Sequence, residues 1–254
     1  SVNANTGSVE FDRTVYPVPW GNDTADERFA LHATAAESTA WTSTHTATSH
    51  SLAQGNVTVH VTVTDADYDV SAFGEDSITD SEVILKIERG SYSTTVATVG
   101  DSAANAIIET SPTSGMFEWD ATVGYRSGPG SAEGATCPTT FATGCVLQGD
   151  ILTVSYKDNK DASGQEQTVT DSATFDLRNG VLQADKSVYL IGSDMILTLI
   201  EPDFDRDNDG AESYTLDLIE WDSDAATTTM GTYGISNANA AFDPEPSALR
   251  ETGD

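Results

Sequence analysis

Apolar and polar residues alternate along short stretches of this chain, with a period of two residues. A period of two places successive side chains on opposite faces of an extended backbone, which is typical of half-buried β-strands. Acidic turns separate these stretches, and the pattern predicts an all-β fold, with one weaker helical candidate at residues 25–38. The stretches are 57–64 (VTVHVTVT), 81–88 (SEVILKIE), 150–156 (DILTVSY), 172–177 (SATFDL) and 213–221 (SYTLDLIEW).

The chain also contains an internal repeat. Residues 7–18 align with residues 180–191 at a constant offset of 173, and residues 59–69 align with residues 195–205 at an offset of 136. The difference of 37 residues is a Ser/Thr/Ala-rich insertion near residues 20–53. We therefore predict that the chain contains two copies of one structural unit.

A further match pairs Ile108-Glu109-Thr110 with Arg250-Glu251-Thr252. After it the first copy continues with more strand patterns, whereas the second copy has only two further residues. The repeat predicts tandem immunoglobulin-like antiparallel β-sandwich domains, with a jelly roll as the alternative. The first domain is predicted at 1–179, including the insertion, and the second at 180–254, truncated at its C-terminal end. Half a sandwich leaves an open edge and a bare core face, so we expect the natural polypeptide to continue past Asp254.

The strongly negative net charge of the chain excludes some classes of binding partner. The 254 residues include 41 acidic and 11 basic residues, which gives a formal net charge of −30. Such a surface repels nucleic acid and anionic lipid, and it attracts small cations. No apolar stretch approaches the length that crosses a bilayer, so we expect no direct membrane insertion of this segment. The composition favours a halophilic protein or a surface protein bathed in salt water.

Three acidic loops follow strand patterns and are candidate calcium sites. Calcium takes six to eight oxygen ligands in a loose geometry, and alternating acids supply several of them. The alternative is that the loops are simply solvated. The candidate ligands are Asp65, Asp67 and Asp69 in the first loop, Asp158 and Asp161 in the second, and Glu201, Asp203, Asp205, Asp207 and Asp209 in the third. Nearby acids that add oxygens are Asp76, Asp80, Asp171, Asp222 and Asp224.

The third loop begins like an EF-hand, with the pattern D-x-D-x-D-G from Asp205 to Gly210. An EF-hand needs a bidentate Glu at position 12 and helices on both sides. Position 12 is Leu216, and the flanks are strand patterns. The repeat pairs Asp65, Asp67 and Asp69 with Glu201, Asp203 and Asp205. We therefore predict a cation loop at the end of a strand.

Two features are typical of an extracellular protein. Cys137 and Cys145 are close in sequence and flanked by Gly and Pro, which suits a disulfide that closes a loop, although two free thiols are the alternative. Asn22 and Asn56 lie in N-x-Thr sequons and are candidate glycosylation sites.

The sequence carries no recognisable catalytic motif. It has no nucleophile elbow, no HExxH and no phosphate-binding glycine loop. A glycosidase-like acid pair among so many carboxylates stays an open but uninformative alternative. We expect no enzymatic activity.

Several longer stretches resemble the large surface-layer (S-layer) proteins of marine ammonia-oxidising archaea. They are GDILTVSYKDNKD, DSATFDLRNGVLQADKSVYLIGSDMILTLIEPD, AESYTLDLIEWDSDA, LRETGD and the ETxxxSGxF pattern from Glu109 to Phe117. The resemblance implies a secreted structural glycoprotein of tandem immunoglobulin-like domains. It also implies self-assembly into a homo-oligomeric, hexameric two-dimensional lattice that serves as a cell wall, stabilised by calcium, with no catalytic residue.

The same resemblance suggests that the anionic, porous lattice enriches cations such as ammonium near the membrane. A negative sheet raises the local cation concentration within about 8 Å at physiological salt. The alternative function is a secreted adhesin that binds glycan or another cell surface through the insertion near 20–53.

Overall fold

The computed structural model describes most of the chain. The described residues are 4–20, 29–30, 51–52, 55–79, 82–99, 106–129, 144–222, 227–230 and 246–252. They form β-strands and short 3-10 turns, with no α-helix among them, so the all-β prediction is confirmed. The helical candidate at 25–38 lies outside the described residues, apart from the short strand Phe29–Ala30.

The strands, numbered along the chain, are β1 (Ser8–Phe11), β2 (Val15–Pro17), β3 (Phe29–Ala30), β4 (Ser51–Leu52), β5 (Val57–Thr64), β6 (Ser77–Ile78), β7 (Val83–Arg89), β8 (Tyr92–Thr98), β9 (Ile107–Glu109), β10 (Met116–Val123), β11 (Ile151–Asp158), β12 (Gln167–Asp176), β13 (Val181–Ala184), β14 (Leu197–Ile200), β15 (Ser213–Tyr214), β16 (Glu220–Asp222), β17 (Thr227–Thr229) and β18 (Leu249–Arg250). The 3-10 turns are Tyr125–Ser127, Pro202–Phe204 and Leu216–Leu218.

The chain divides into two compact units. The first comprises Ser1–Val18 and Val57–Arg206, and the second comprises Pro19–Asn56 and Asp207–Asp254. In this division β13 and β14, which the sequence assigns to a second domain, belong to the first unit. The predicted domain boundary between residues 179 and 180 stays a prediction.

Two five-stranded sheets build the first unit. One has the strand order β1-β5-β10-β9-β6, and the other has the order β2-β12-β11-β7-β8. All neighbours pair antiparallel except β2, which runs parallel to β12. Strand β2 is an edge strand, where the proline at its end costs no ladder hydrogen bond.

The core of the first unit lies between the two sheets. Strand β5 shows how the sequence positions it, because its four valines are buried and the residues between them are not. Both sheets contribute inward side chains to one continuous apolar cluster, and its largest fully buried aromatic rings are Tyr16, Tyr156, Phe117 and Phe175. The first unit is therefore a β-sandwich, as predicted.

The strand order bears on the immunoglobulin-like prediction. In immunoglobulin folds the first sheet has the order A-B-E-D, and the second contains G-F-C, followed by C′ in variable-type domains. The first sheet of this protein contains the matching order β1-β5-β10-β9, and the second contains β12-β11-β7-β8. The immunoglobulin-like assignment itself stays a prediction.

The strand pairing follows the sequence repeat. Strand β1 pairs with β5 so that Ser8 lies opposite Thr64, and β13 pairs with β14 so that Val181 lies opposite Ile200. The two pairings are related by the offsets of 173 and 136 found in the sequence. The alignment therefore identified two pairs of strands with the same register.

A second pairing is also repeated. Strand β6 pairs with β9 so that Ser77 lies opposite Ile108, and in the second unit β15 pairs with β18 so that Ser213 lies opposite Arg250. Here the offsets are 136 and 142, and the latter also relates the two Glu-Thr motifs. Each copy thus contains the same short ladder next to its Glu-Thr motif.

Candidate metal site

A group of three carboxylates lies at one end of the first unit. Asp69, Asp76 and Glu109 each offer one oxygen, and these oxygens lie within 4.8 Å of one another. Asp69 is a ligand that the sequence predicted, and Asp76 is one of the nearby acids named with it. Glu109 ends strand β9 and was not predicted as a ligand.

Glu109 is the buried anchor of this group. It is 2% exposed, and its carboxylate accepts hydrogen bonds from the backbone N–H of Gly115 at 2.8 Å and of Asp76 at 3.1 Å. Burial alone would raise the pKa of Glu109, but these donors and those of Ser114 outweigh it and hold the pKa below its usual value. The side chain therefore stays ionised and fixed in place.

The turn after Glu109 depends on a glycine. Gly115 has a φ of +61°, in the left-handed region, and a Cβ there would lie 3.3 Å from the Cα of Ala66. The carbonyl of Gly115 accepts a hydrogen bond of 2.8 Å from the N–H of Asp65. The Ser-Gly pair thus lets the turn approach the first acidic loop closely.

Asp76 fixes the far end of the first acidic loop. One of its carboxylate oxygens, Oδ2, accepts hydrogen bonds from the N–H groups of Val70 and Ser71, both at 2.8 Å. This contact closes the loop around Asp69, which is half-buried. The loop geometry therefore brings Asp69 to the Asp76–Glu109 pair.

No basic side chain neutralises the group within the described part of the chain. The ion pairs there involve other acids, namely Asp12, Asp120, Asp150, Glu166, Asp185, Asp203 and Asp205. Nor does any described group donate a hydrogen bond to the carboxylate of Asp69. Three carboxylates this close repel one another unless a cation or a proton offsets their charge.

Asp65 is buried and held by hydrogen bonds. It is 2% exposed, and its carboxylate accepts hydrogen bonds from the hydroxyl of Tyr156 at 2.6 Å and from the N–H of Asp67 at 2.8 Å. Burial raises its pKa, and the two donors only partly oppose that shift. Continuing the period of two past Val63 places Asp65 on the core side, so the sequence carried a signal for its burial.

The other predicted acids of the first two loops bind backbone groups. Asp67 accepts a hydrogen bond from the N–H of Asn5 at 3.0 Å. Asp158 is buried and accepts from the N–H of Gly7 at 2.9 Å and of Lys160 at 2.8 Å. These contacts hold the segment before β1 against the loops.

Asp161 organises its own turn. Its Oδ1 accepts hydrogen bonds from the N–H of Ser163 at 2.8 Å and of Gln165 at 2.9 Å. The hydroxyl of Ser163 and these N–H groups lower the pKa of Asp161. In the described part of the chain, Asp65, Asp67, Asp158 and Asp161 belong to no group of three carboxylates, and their role as ligands stays a prediction.

The start of the third loop repeats the hydrogen bonds of the first. Glu201 accepts from the N–H of Asp203 at 3.2 Å, and Asp203 accepts from the N–H of Arg178 at 2.9 Å. Their counterparts are the contacts Asp67 to Asp65 and Asn5 to Asp67, which are displaced by the offsets of the repeat. Burial raises the pKa of Glu201, as it does for Asp65.

Asp205 differs from its counterpart Asp69, because a base binds it. The guanidinium of Arg13 donates to its carboxylate at 2.7 Å and to its backbone carbonyl at 3.0 Å. Asp207 and Asp209 follow in the second unit, where the N–H of Asp209 donates to Asp207 at 3.2 Å.

The second unit contains the counterpart of the Asp76–Glu109 pair. The N–H of Glu212 donates to the carboxylate of Glu251 at 3.0 Å, and the N–H of Glu251 donates to the carbonyl of Glu212 at 3.0 Å. In the first unit the same two bonds join Asp76 and Glu109, at 3.1 Å and 3.0 Å. The signal that could have identified these acids was the repeated Glu-Thr motif.

The predicted covalent features are only partly within the described residues. Cys145 is buried and disulfide-bonded, whereas Cys137, the other cysteine of the chain, lies outside them. Asn22 also lies outside them, and Asn56 is half-buried. Glycosylation of either asparagine stays a prediction.

The described residues include no helix of the length and apolar character that a bilayer span requires. No protein-family model matches the chain, and no curated protein does.

Proposed function

We propose that this protein is a structural subunit of a cell-surface S-layer lattice, in which calcium stabilises the acidic loops of immunoglobulin-like β-sandwich domains. It acts outside the cell as part of a porous cell wall. The proposal rests on the resemblance of the long stretches quoted above and on the extreme acidity of the chain. The strand orders β1-β5-β10-β9 and β12-β11-β7-β8 support the immunoglobulin-like part.

The observation that carries the calcium part is the group formed by Asp69, Asp76 and Glu109. The atoms that this group offers to a metal are all carboxylate oxygens, which suit a hard cation. Ca²⁺ tolerates the irregular geometry of a loop better than Mg²⁺ does. A divalent ion bound there would offset the mutual repulsion of three carboxylates that have no basic neighbour among the described residues. Water and backbone carbonyls would complete the ligand shell.

The repeated hydrogen bonds between Glu212 and Glu251 support the same reading. In the sequence Asp205 precedes Glu212 by seven residues, as Asp69 precedes Asp76. A device used in both copies suits a chain in which each domain is stiffened in the same way. Rigid modules of this kind favour an extended assembly over a binding site for one ligand.

The net charge of −30 gives the lattice its second role in this proposal. Carboxylates that bind no calcium face the pores and attract small cations, ammonium among them. Catalysis has no part in this function.

The proposal is tested by electron microscopy of the purified chain with calcium, with magnesium and with excess chelator. We expect periodic sheets in calcium that dissolve into single chains in chelator and form again when calcium is restored. Magnesium should restore them poorly, because it demands a more regular shell. Sheets that persist unchanged in chelator would show that calcium is not what holds them together.

A further inference from the structure

The second copy of the repeat exposes apolar side chains whose counterparts in the first copy are buried. Leu182 on β13 is 48% exposed, while its counterpart Val9 on β1 is 5% exposed. Ile191 is 108% exposed, and its counterpart Val18 is 9% exposed. Apolar residues of the second copy are thus exposed at positions that lie in the core in the first copy.

The backbone of β14 points to the same conclusion. In the first copy β5 pairs with β1 on one edge and with β10 on the other. Within the described part of the chain β14 pairs only with β13. Its second edge therefore offers the hydrogen-bonding groups that β5 gives to β10.

The first copy shows which side chains cover this face. Phe117 of β10 lies opposite Val63 of β5, and Phe117 is fully buried there. The repeat counterpart of Val63 is Leu199 of β14. Further along β10, Ala121 and Val123 also face inward, so every second residue of the strand is apolar.

We propose that the open edge of β14 binds a β-strand of the β10 type, in antiparallel register, with its aromatic residue on Leu199. The occupant is thus a short strand with apolar residues at alternate positions, patterned like Met116–Val123. Main-chain hydrogen bonds along the edge supply affinity, and the inward side chains supply register and specificity. Binding at this edge requires neither calcium nor assembly into a lattice.

The first copy indicates this occupant, because β14 is the counterpart of β5 and β5 pairs there with β10. The β10 strand of a second copy is not available as the occupant, because it is already paired with β5 on one edge and β9 on the other. An extended polar partner is also disfavoured, because it would leave Leu182 and Ile191 in water.

The test uses the full chain and a labelled synthetic peptide with the sequence of residues 114–125, SGMFEWDATVGY. We expect one peptide to bind per chain and to slow amide hydrogen exchange of residues 195–200 by about tenfold or more. Leu199→Asp should abolish both effects. The matched variant Thr198→Asp, one residue away on the other face of the strand, should retain them. A peptide carrying Phe117→Asp should not bind.

An isolated strand loses entropy when it docks, so a second arm attaches the same peptide sequence after Thr252 through a flexible linker. Protection of residues 195–200 in this extended chain, lost with Leu199→Asp, supports the proposal. Absence of protection in both arms overturns it, as does binding that ignores Leu199→Asp. Concentration-dependent dimerisation that protects residues 195–200 without peptide identifies a second copy as the occupant and also overturns it.

Discussion

Glu109 and Asp76 exchange two hydrogen bonds across neighbouring strand ends. The N–H of Asp76 donates to the carboxylate of Glu109 at 3.1 Å, and the N–H of Glu109 donates to the carbonyl of Asp76 at 3.0 Å. These bonds hold the carboxylate of Glu109 close to two other acids. One oxygen of Glu109 lies within 4.8 Å of an oxygen of Asp76 and of an oxygen of Asp69. A divalent cation at these oxygens would offset the mutual repulsion of the three acids.

The first prediction separates binding from folding. Asp69 accepts no hydrogen bond from the described residues, so Asp69→Asn should not lower the unfolding free energy in chelator. It should raise it slightly, because one of three mutually repelling charges is removed. It should weaken calcium binding by about tenfold or more, because the ligand charge falls by one. Calorimetric titration with calcium measures the affinity, and urea denaturation in chelator measures the stability.

The matched control is Glu118→Gln, which makes the same kind of charge change on an exposed position of β10. It should leave calcium affinity within about twofold, since exposed charges are screened by salt. Equal losses in the two variants would mean that calcium senses the overall charge and not this group.

The second prediction concerns pH. The hydroxyl of Tyr189, followed by the N–H of Ile196, lowers the pKa of Asp185 from 3.8 to about 2. Because the folded pKa lies below the ordinary one, the ionised carboxylate stabilises the fold above pH 3.8, and that contribution is lost as the pH falls toward 2.

NMR titration of the carboxyl carbon of Asp185 gives the midpoint directly. In Tyr189→Phe the midpoint should rise toward the ordinary value, because the largest of the lowering contacts is removed. A midpoint near 3.8 in the unmodified protein would contradict the hydrogen bond from Tyr189.

These residues show what the sequence could and could not predict. Period two predicted the strands, and the repeat offsets of 173 and 136 matched the pairing of β1 with β5 and of β13 with β14. The sequence did not place Glu109 beside Asp69, because the order of the strands brings β9 there and strand order has no local signature. Asp65 was predicted as a ligand from its spacing, and that role stays a prediction. What the spacing did not show is that its carboxylate accepts hydrogen bonds from Tyr156 and from the backbone of Asp67.

The third prediction tests the buried pair of Tyr156 and Asp65. Tyr156→Phe removes the hydroxyl that donates to Asp65 at 2.6 Å and leaves a buried carboxylate oxygen without that partner. We expect a loss of about 1–3 kcal/mol in the unfolding free energy. The control Tyr92→Phe changes an exposed ring and should cost less than about 0.5 kcal/mol. Equal, small losses in both variants would show that the hydroxyl of Tyr156 contributes nothing.

The fourth prediction concerns Gly7, whose backbone lies close to the side chains of Tyr156 and Asp65. A Cβ on Gly7 would lie 2.6 Å from the ring of Tyr156 and 3.1 Å from the carboxylate of Asp65. Gly7→Ala should therefore push the segment before β1 away and cost about 1–3 kcal/mol. In Gly74→Ala the nearest atom is the hydroxyl oxygen of Ser71 at 3.5 Å, so that variant should be nearly neutral. Thermal unfolding of the two variants side by side decides between them.

The fifth prediction concerns Arg89, whose guanidinium binds both carboxylate oxygens of the buried Asp150. Two of its nitrogens donate to the carboxylate of Asp150 at 2.6 Å each, and Asp150 is 1% exposed. Arg89 also donates to the backbone carbonyl of Cys145 at 2.6 Å. Removing one partner of such a buried pair leaves an uncompensated charge, so Arg89→Ala should cost about 3–5 kcal/mol.

Arg89→Lys keeps the charge but loses the planar fork that binds both oxygens, and its loss should fall between that of Arg89→Ala and zero. The control is Lys157→Ala, because Lys157 pairs with the exposed Glu166 at 3.0 Å and should cost no more than about 1 kcal/mol. Urea denaturation of the three variants orders them. Should Arg89→Lys match the unmodified protein, charge alone holds Asp150 and the bidentate geometry is dispensable.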